Sequence, residues 1–88
     1  RVYIIVYEAF YWRTDDMSEY EDRAKNILKA ELKRRGITYK QLADLLKPLG
    51  AKENERNLAN KISRGSFTTA FFLMCMDAIG AGSIQLQA

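Results

Sequence analysis

Two stretches decide how this chain folds. They are Ile37-Thr38-Tyr39-Lys40-Gln41-Leu42-Ala43-Asp44-Leu45-Leu46 and, after a short gap, Leu58-Ala59-Asn60-Lys61-Ile62-Ser63-Arg64-Gly65. In the first, Thr38 is followed three residues on by Gln41, the spacing of a capping box. The threonine oxygen can accept from the backbone N–H of Gln41, and the glutamine side chain can reach back to the threonine N–H. Leu42, Ala43, Leu45 and Leu46 then supply a buried face, and Pro48 stops the helix because it lacks a donor and clashes with the preceding turn. A short helix over about 39–47 follows. Gly50-Ala51-Lys52-Glu53-Asn54 connects it to a second helix over about 54–64, with Leu58, Ala59 and Ile62 apolar and Gly65 as the stop.

The same punctuation extends outward. Ser18-Glu19-Tyr20-Glu21 is a second capping box, with Glu19, Glu21 and Asp22 adding negative charge at the positive end of a helix dipole. Ala24, Ile27, Leu28 and Leu32 keep helical spacing, Lys33, Arg34 and Arg35 crowd the last turn, and Gly36 closes it, so a helix over about 19–35 is predicted. Ser66 or Thr68 starts a last helix over about 68–79, which ends at Gly80. That helix is apolar nearly all round, with Asp77 as its one charge. It is expected to be the centre of the fold, or to meet the N-terminal segment or another chain on one side.

Residues 1–16 differ from the rest. Val2-Tyr3-Ile4-Ile5-Val6-Tyr7 is β-branched and aromatic, which favours a strand, and Phe10-Tyr11-Trp12 adds three more aromatics. Such a segment is expected to pair with a second copy, to dock on the domain, or to pack wherever apolar surface is free. Glu8 interrupts the run, and no small-residue cleavage site follows, which argues against a signal peptide. The expected organisation is an apolar extension over 1–16, a helical domain over 17–82 and a tail over 83–88.

Composition removes several functions. Among 88 residues there is no histidine and a single cysteine, Cys75, so neither an internal disulfide nor a cysteine-rich zinc site can form. Cys75 lies in an apolar helix without a base, the carboxylates are scattered, and no glycine-rich loop precedes a helix. The chain is therefore expected not to be an enzyme, and to need no metal or cofactor. No apolar run reaches the length of a membrane span. With no secretion or membrane signal, a cytoplasmic location is expected.

The basic residues are better organised. From Met17 onward 12 Lys/Arg face 8 Asp/Glu, a net +4, while residues 1–16 carry a net −1. On a helical period Arg56, Asn57, Asn60, Lys61 and Arg64 share the side of the 54–64 helix opposite Leu58 and Ile62. Arginine and lysine suit guanine edges, and asparagine suits adenine. A solvated helix face carries the same residue types.

A capped short helix, a turn and a polar-faced helix form the order of a helix-turn-helix. Ile37 to Leu46 resembles the opening of helix two in the phage-repressor-like (Cro- and XRE-type) helix-turn-helix family, and Leu58 to Gly65 resembles the end of that family's recognition helix. Ala24 to Gly80 as a whole is similar to a small bacterial domain family of unknown function, through Ala24-Lys25-Asn26-Ile27-Leu28-Lys29-Ala30-Glu31-Leu32-Lys33-Arg34-Arg35-Gly36 and Arg56 to Gly65. The resemblance implies an all-α fold, a four-helix lambda-repressor-like domain preceded by the extended N-terminal segment. It also implies that Gln41 holds a phosphate with Thr38 and Lys40 nearby, and that Lys52 and Arg64 flank the site as further phosphate contacts. Counting back from Gly65, Glu55, Arg56, Asn57 and Lys61 take the positions from which the family contacts bases, and Asn60 shares their face. The stretch from Gly50 to Gly65 is about three residues longer than the family's turn plus helix. The extra length either extends the recognition helix or reshapes the turn.

The expectation is a sequence-specific double-stranded DNA binder of the transcription-regulator type, acting as a homodimer through the 68–79 helix, residues 2–12, or both. The alternative is a non-enzymatic protein-interaction module on a degenerate helix-turn-helix.

Overall fold

The computed structural model describes the backbone of residues 6–86 and the side chains of residues 18–86. Among these residues the regular structure is entirely helical: α1 (Val6–Arg34), α2 (Tyr39–Leu46), a 3₁₀ turn (Lys47–Leu49), α3 (Glu55–Arg64) and α4 (Thr69–Ile79). The expected boundaries of the last three helices hold to within a residue.

Local chemistry explains those boundaries. The Thr38 capping box forms in full: the Gln41 N–H donates to Thr38 Oγ1 at 3.1 Å, and the Thr38 N–H donates to Gln41 Oε1 at 2.8 Å. Asn54 caps α3 through its Oδ1, which accepts from the Asn57 N–H at 2.8 Å. Of the two candidate starts for α4, Thr68 is the cap, its Oγ1 accepting from the Phe71 N–H at 3.0 Å.

The N-terminal expectations are corrected. α1 is continuous from Val6, so Val6 and Tyr7 of the expected 2–7 strand are helical, and residues 1–5 lie outside the described residues. Ser18 and Glu21 sit inside the helix and do not start it. The physical reason is that β preference is realised only against a neighbouring strand, and the described residues supply none. Extending an existing helix adds one hydrogen bond per residue fixed, and no Gly or Pro stands between Val6 and Arg34 to stop it.

The core joins all four helices. α1 contributes Leu28 and Leu32, α2 contributes Leu42, Ala43 and Leu46, α3 contributes Leu58 and Ile62, and α4 contributes Phe71, Cys75, Met76 and Ile79. α2 packs on both α3 and α4, and α1 packs on α3. α4 is not buried all round. Phe71, Cys75, Met76 and Ile79 face inward, while Thr69, Ala70, Leu73 and Asp77 are exposed. Residues 81–84 return toward α1, with Ala81 and Ile84 half-buried against the core. Arg23 of α1 holds this tail by donating to the Leu86 carbonyl oxygen at 3.3 Å.

Gly65 fixes how α3 meets α1. Its φ is +73°, which glycine adopts freely, and a Cβ placed there would stand 2.5 Å from the Glu21 carbonyl oxygen. No larger residue fits between these two backbones.

Candidate nucleic-acid interface

The residues between α2 and α3 form a 3₁₀ turn and a short connection. α2 ends at Leu46, the 3₁₀ turn carries the chain to Gly50, and residues 51–54 lead to the Asn54 cap, leaving α3 ten residues long. Glu53 anchors this connection. Its Oε2 accepts from Lys61 Nζ at 2.7 Å, and the same Nζ lies 4.7 Å from the centre of the Phe71 ring. The Glu53 side chain is only 13% exposed and the Lys61 side chain 42% exposed, so the pair spans from the edge of the core to solvent.

α2 and α3 bring their N-termini together. Tyr39, the first residue of α2, and Asn54, Glu55, Arg56 and Ala59 line one shallow hollow. A neighbouring hollow is lined by Lys29 and Lys33 of α1 with Thr38, Tyr39 and Glu55. Backbone N–H groups left unpaired in the first turn of each helix, together with the helix dipoles, make such a surface attractive to anions.

The basic residues divide into two sets. Arg34 and Arg35 are taken up by the buried Glu31 at 2.6 and 3.4 Å, Lys25 pairs with Asp22, Lys47 with Asp44 and Lys61 with Glu53. Arg23, Lys29, Lys33, Lys40, Lys52, Arg56 and Arg64 form no ion pair among the described residues. Lys29, Lys33 and Arg56 line the two hollows, Lys40 follows Tyr39 in sequence, and Lys52 stands two residues before Asn54. Arg64 is set apart at the far end of α3, about 13 Å along the axis from Glu55.

The residues expected to contact DNA are therefore placed as follows. Thr38, Lys40 and Gln41 are exposed in the first turn of α2, with Thr38 and Gln41 bonded to each other as the cap and the Gln41 Oε1 committed to it. Lys52 is exposed in the turn. Arg56, Asn57, Asn60 and Arg64 are exposed on α3, opposite the buried Leu58 and Ile62. Glu55 is exposed as well, but it belongs to the flank that meets α1 and α2. Lys61 lies on the opposite flank, held by Glu53 and Phe71, and is not part of the outer row. Three contributors were not singled out from the sequence. Lys29 and Lys33 belong to a distant element, and only the packing of α1 brings them beside α2. Ser63 is exposed on the outer row of α3, and its helical register alone marks it.

Cys75 is fully buried, and its thiol is pushed up to about 12, first by burial, then by the nearby Glu53 carboxylate, with Lys61 partly opposing. A thiol in that state is not a nucleophile at neutral pH. Among the described residues no group of acidic and cysteine side chains could hold a metal ion, and no helix is long and apolar enough to cross a membrane.

Residues 20–84 match the family described as Domain of unknown function (DUF6471), and the chain belongs to that family. No curated protein and no solved structure matches it.

Proposed function

We propose that this member of the DUF6471 family binds double-stranded DNA as a sequence-specific regulator of transcription, with α3 in the major groove and the start of α2 against the phosphate backbone. The helices then act as a helix-turn-helix of the phage-repressor kind, with a lengthened turn. One observation carries the reading: the N-termini of α2 and α3 open onto the same side, where Lys29, Lys33 and Arg56 have no ion-pair partner among the described residues. Phosphates would be held by Lys40, Lys52 and the Gln41 amide, which fixes register without reading sequence. Arg56, Asn57 and Asn60 are the base-reading side chains. Lys61 takes a different part, since its charge is already paired with Glu53. Glu55 either accepts from a cytosine amine or acts only as a dipole partner at the helix start. A single module of this size buries limited DNA surface, so two copies on two half-sites are expected, paired through the N-terminal segment or the exposed side of α4.

The test is binding of the full chain to a randomised duplex pool at two salt concentrations. Enrichment of one site, with binding that falls steeply as salt rises, is the expected result. Arg56→Ala and Asn60→Ala should each relax base preference, losing about 1–3 kcal/mol on the best site. Lys61→Ala should leave base preference unchanged. The absence of salt-sensitive binding would overturn the reading in favour of a protein-interaction module.

A further inference from the structure

An open groove of about 280 Å³ runs along α1. Tyr20, Ala24 and Ile27 form its floor, Phe67 and Phe72 one wall, and Ile84 and Leu86 the other. The Phe67 and Phe72 rings stack nearly parallel at 6.2 Å, and Arg23 lies over the Tyr20 ring at 5.2 Å while holding the Leu86 carbonyl. The groove is thus built from three elements and fixed on both sides.

The register of its floor does not stop at the domain. Counting back along α1 in alternate steps of three and four residues from Ile27 gives Ala24, Tyr20, Met17, Arg13, Phe10 and Val6. Helix α1 is continuous through all of these positions. Six of the seven are apolar, and the step pattern is that of a heptad seam, the spacing with which one helix packs along another. Three heptads at this regularity exceed what α1 needs for its own core, which it supplies through Leu28 and Leu32 on a different register.

We propose that the groove receives the N-terminal half of α1 from a second copy of this chain, in an antiparallel helix pair with two-fold symmetry. The orientation follows from Arg13. In a parallel pair the two Arg13 residues would stand at the same level and repel. In the antiparallel pair, with facing positions adding to about 30 by the heptad rule, Phe10 meets the partner's Tyr20, Val6 meets the partner's Ala24, and Arg13 meets the partner's Met17. Charge agrees with this choice. The segment over 1–16 is net negative and the domain net positive, and Glu8 comes level with the partner's Arg23. Because the interface is isologous, each copy gives its segment and receives the other's, so both grooves fill at once. This deepens the paired-copy part of the functional reading and does not depend on DNA.

The experiment is the solution mass of the full chain at micromolar concentration, by sedimentation equilibrium or light scattering, with circular dichroism as the folding check. Wild type should have twice the chain mass. Phe10→Glu and Tyr20→Lys should each give a monomer with unchanged α-helical melting of the domain, since Tyr20 is 57% exposed and, among the described residues, α1 feeds the core through Leu28 and Leu32. Mixing the two variants should restore a dimer, because only the antiparallel register brings position 10 of one chain opposite position 20 of the other. A monomeric wild type, a variant that remains dimeric alone, or a mixture that remains monomeric would each overturn the proposal. DNA binding by a monomeric wild type would overturn this pairing and leave the interface reading standing. A dimer of the stated register without DNA binding would do the reverse.

Discussion

Replacing Gly65 by alanine isolates the contact on which the placement of α3 depends, and Gly36 provides the control. Both glycines terminate helices in the left-handed region, at φ +73° and +68°. A Cβ at Gly36 meets nothing within 4 Å, whereas one at Gly65 would stand 2.5 Å from the Glu21 carbonyl oxygen and 3.0 Å from its carbon. The left-handed conformation costs alanine about 1–2 kcal/mol. Alanine also restricts the unfolded chain, which returns about 0.4–1 kcal/mol. Gly36→Ala should therefore lose between about 0 and 1.6 kcal/mol. Gly65→Ala carries the same backbone term and must in addition part α1 from α3, because the opposing atoms are backbone and cannot swing aside. Overpacking of this kind adds about 1–3 kcal/mol. On the usual per-residue scale a chain of this length is stable by about 4–13 kcal/mol, so the extra loss is a large share of the total. Urea unfolding followed by circular dichroism resolves it, since a small domain shifts its midpoint by up to about 1 M for each kcal/mol. Asparagine sharpens the comparison, because it tolerates the left-handed region yet still carries a Cβ. Gly36→Asn should be nearly neutral, and Gly65→Asn should keep the overpacking loss of about 1–3 kcal/mol while shedding most of the backbone term. Equal midpoints for Gly65→Ala and Gly36→Ala would refute the close approach of the two helices.

Two other perturbations test separate parts of the structure. Thr38→Ala removes a complete capping box and should lower stability by about 1 kcal/mol, whereas Ser18→Ala falls inside α1 and should leave stability unchanged or slightly raised; urea midpoints decide, and a Ser18→Ala loss as large as that of Thr38→Ala would mean that the helix starts at Glu19 after all. Cys75 should resist alkylation near neutral pH in the folded chain and react only at the rate of unfolding. Its folded pKa lies above the unfolded one, so the stability it contributes is complete below the ordinary thiol value and is lost as pH rises toward about 12. Rapid labelling of folded protein, or stability that rises over that alkaline range, would contradict the burial of Cys75.

The helices that were legible in the sequence are those whose ends are specified by their own residues. Thr38 with Gln41, Asn54, Thr68, Gly65 and Gly80 each act within one turn, so their meaning does not depend on what packs nearby. The same argument explains why α1 begins upstream of Ser18. Ser18 and Glu21 offer a cap, but a cap competes with simple continuation of the helix, and no Gly or Pro between Val6 and Ser18 forces a break. The β-branched and aromatic residues there state a preference for apolar surroundings as much as for extended backbone, and a helix seam supplies such surroundings equally well. Where the chain resolves a local choice by long-range packing, residue pattern alone leaves both outcomes open.

The candidate interface divides along the same line. That α3 has a polar outer row was readable from its period, because Leu58 and Ile62 fix which side is buried. Which cations remain available was not, since it depends on partners distant in the sequence or on burial. Lys61 shares the composition of the outer row, yet Glu53, eight residues earlier, removes it. Glu31 engages Arg34 and Arg35 from a position that only the packing of α1 makes buried. Lys29 and Lys33 enter from α1 because that helix ends beside the start of α2. Formal charge therefore overstates what a phosphate backbone would meet, and the unengaged set is the quantity to compare with experiment. If binding releases counterions from phosphate contacts with Lys29, Lys33, Lys40 and Lys52, the slope of log affinity against log salt should approach about −0.9 per phosphate neutralised. Lys61→Ala should leave that slope unchanged, and Lys33→Ala should make it shallower by about 1.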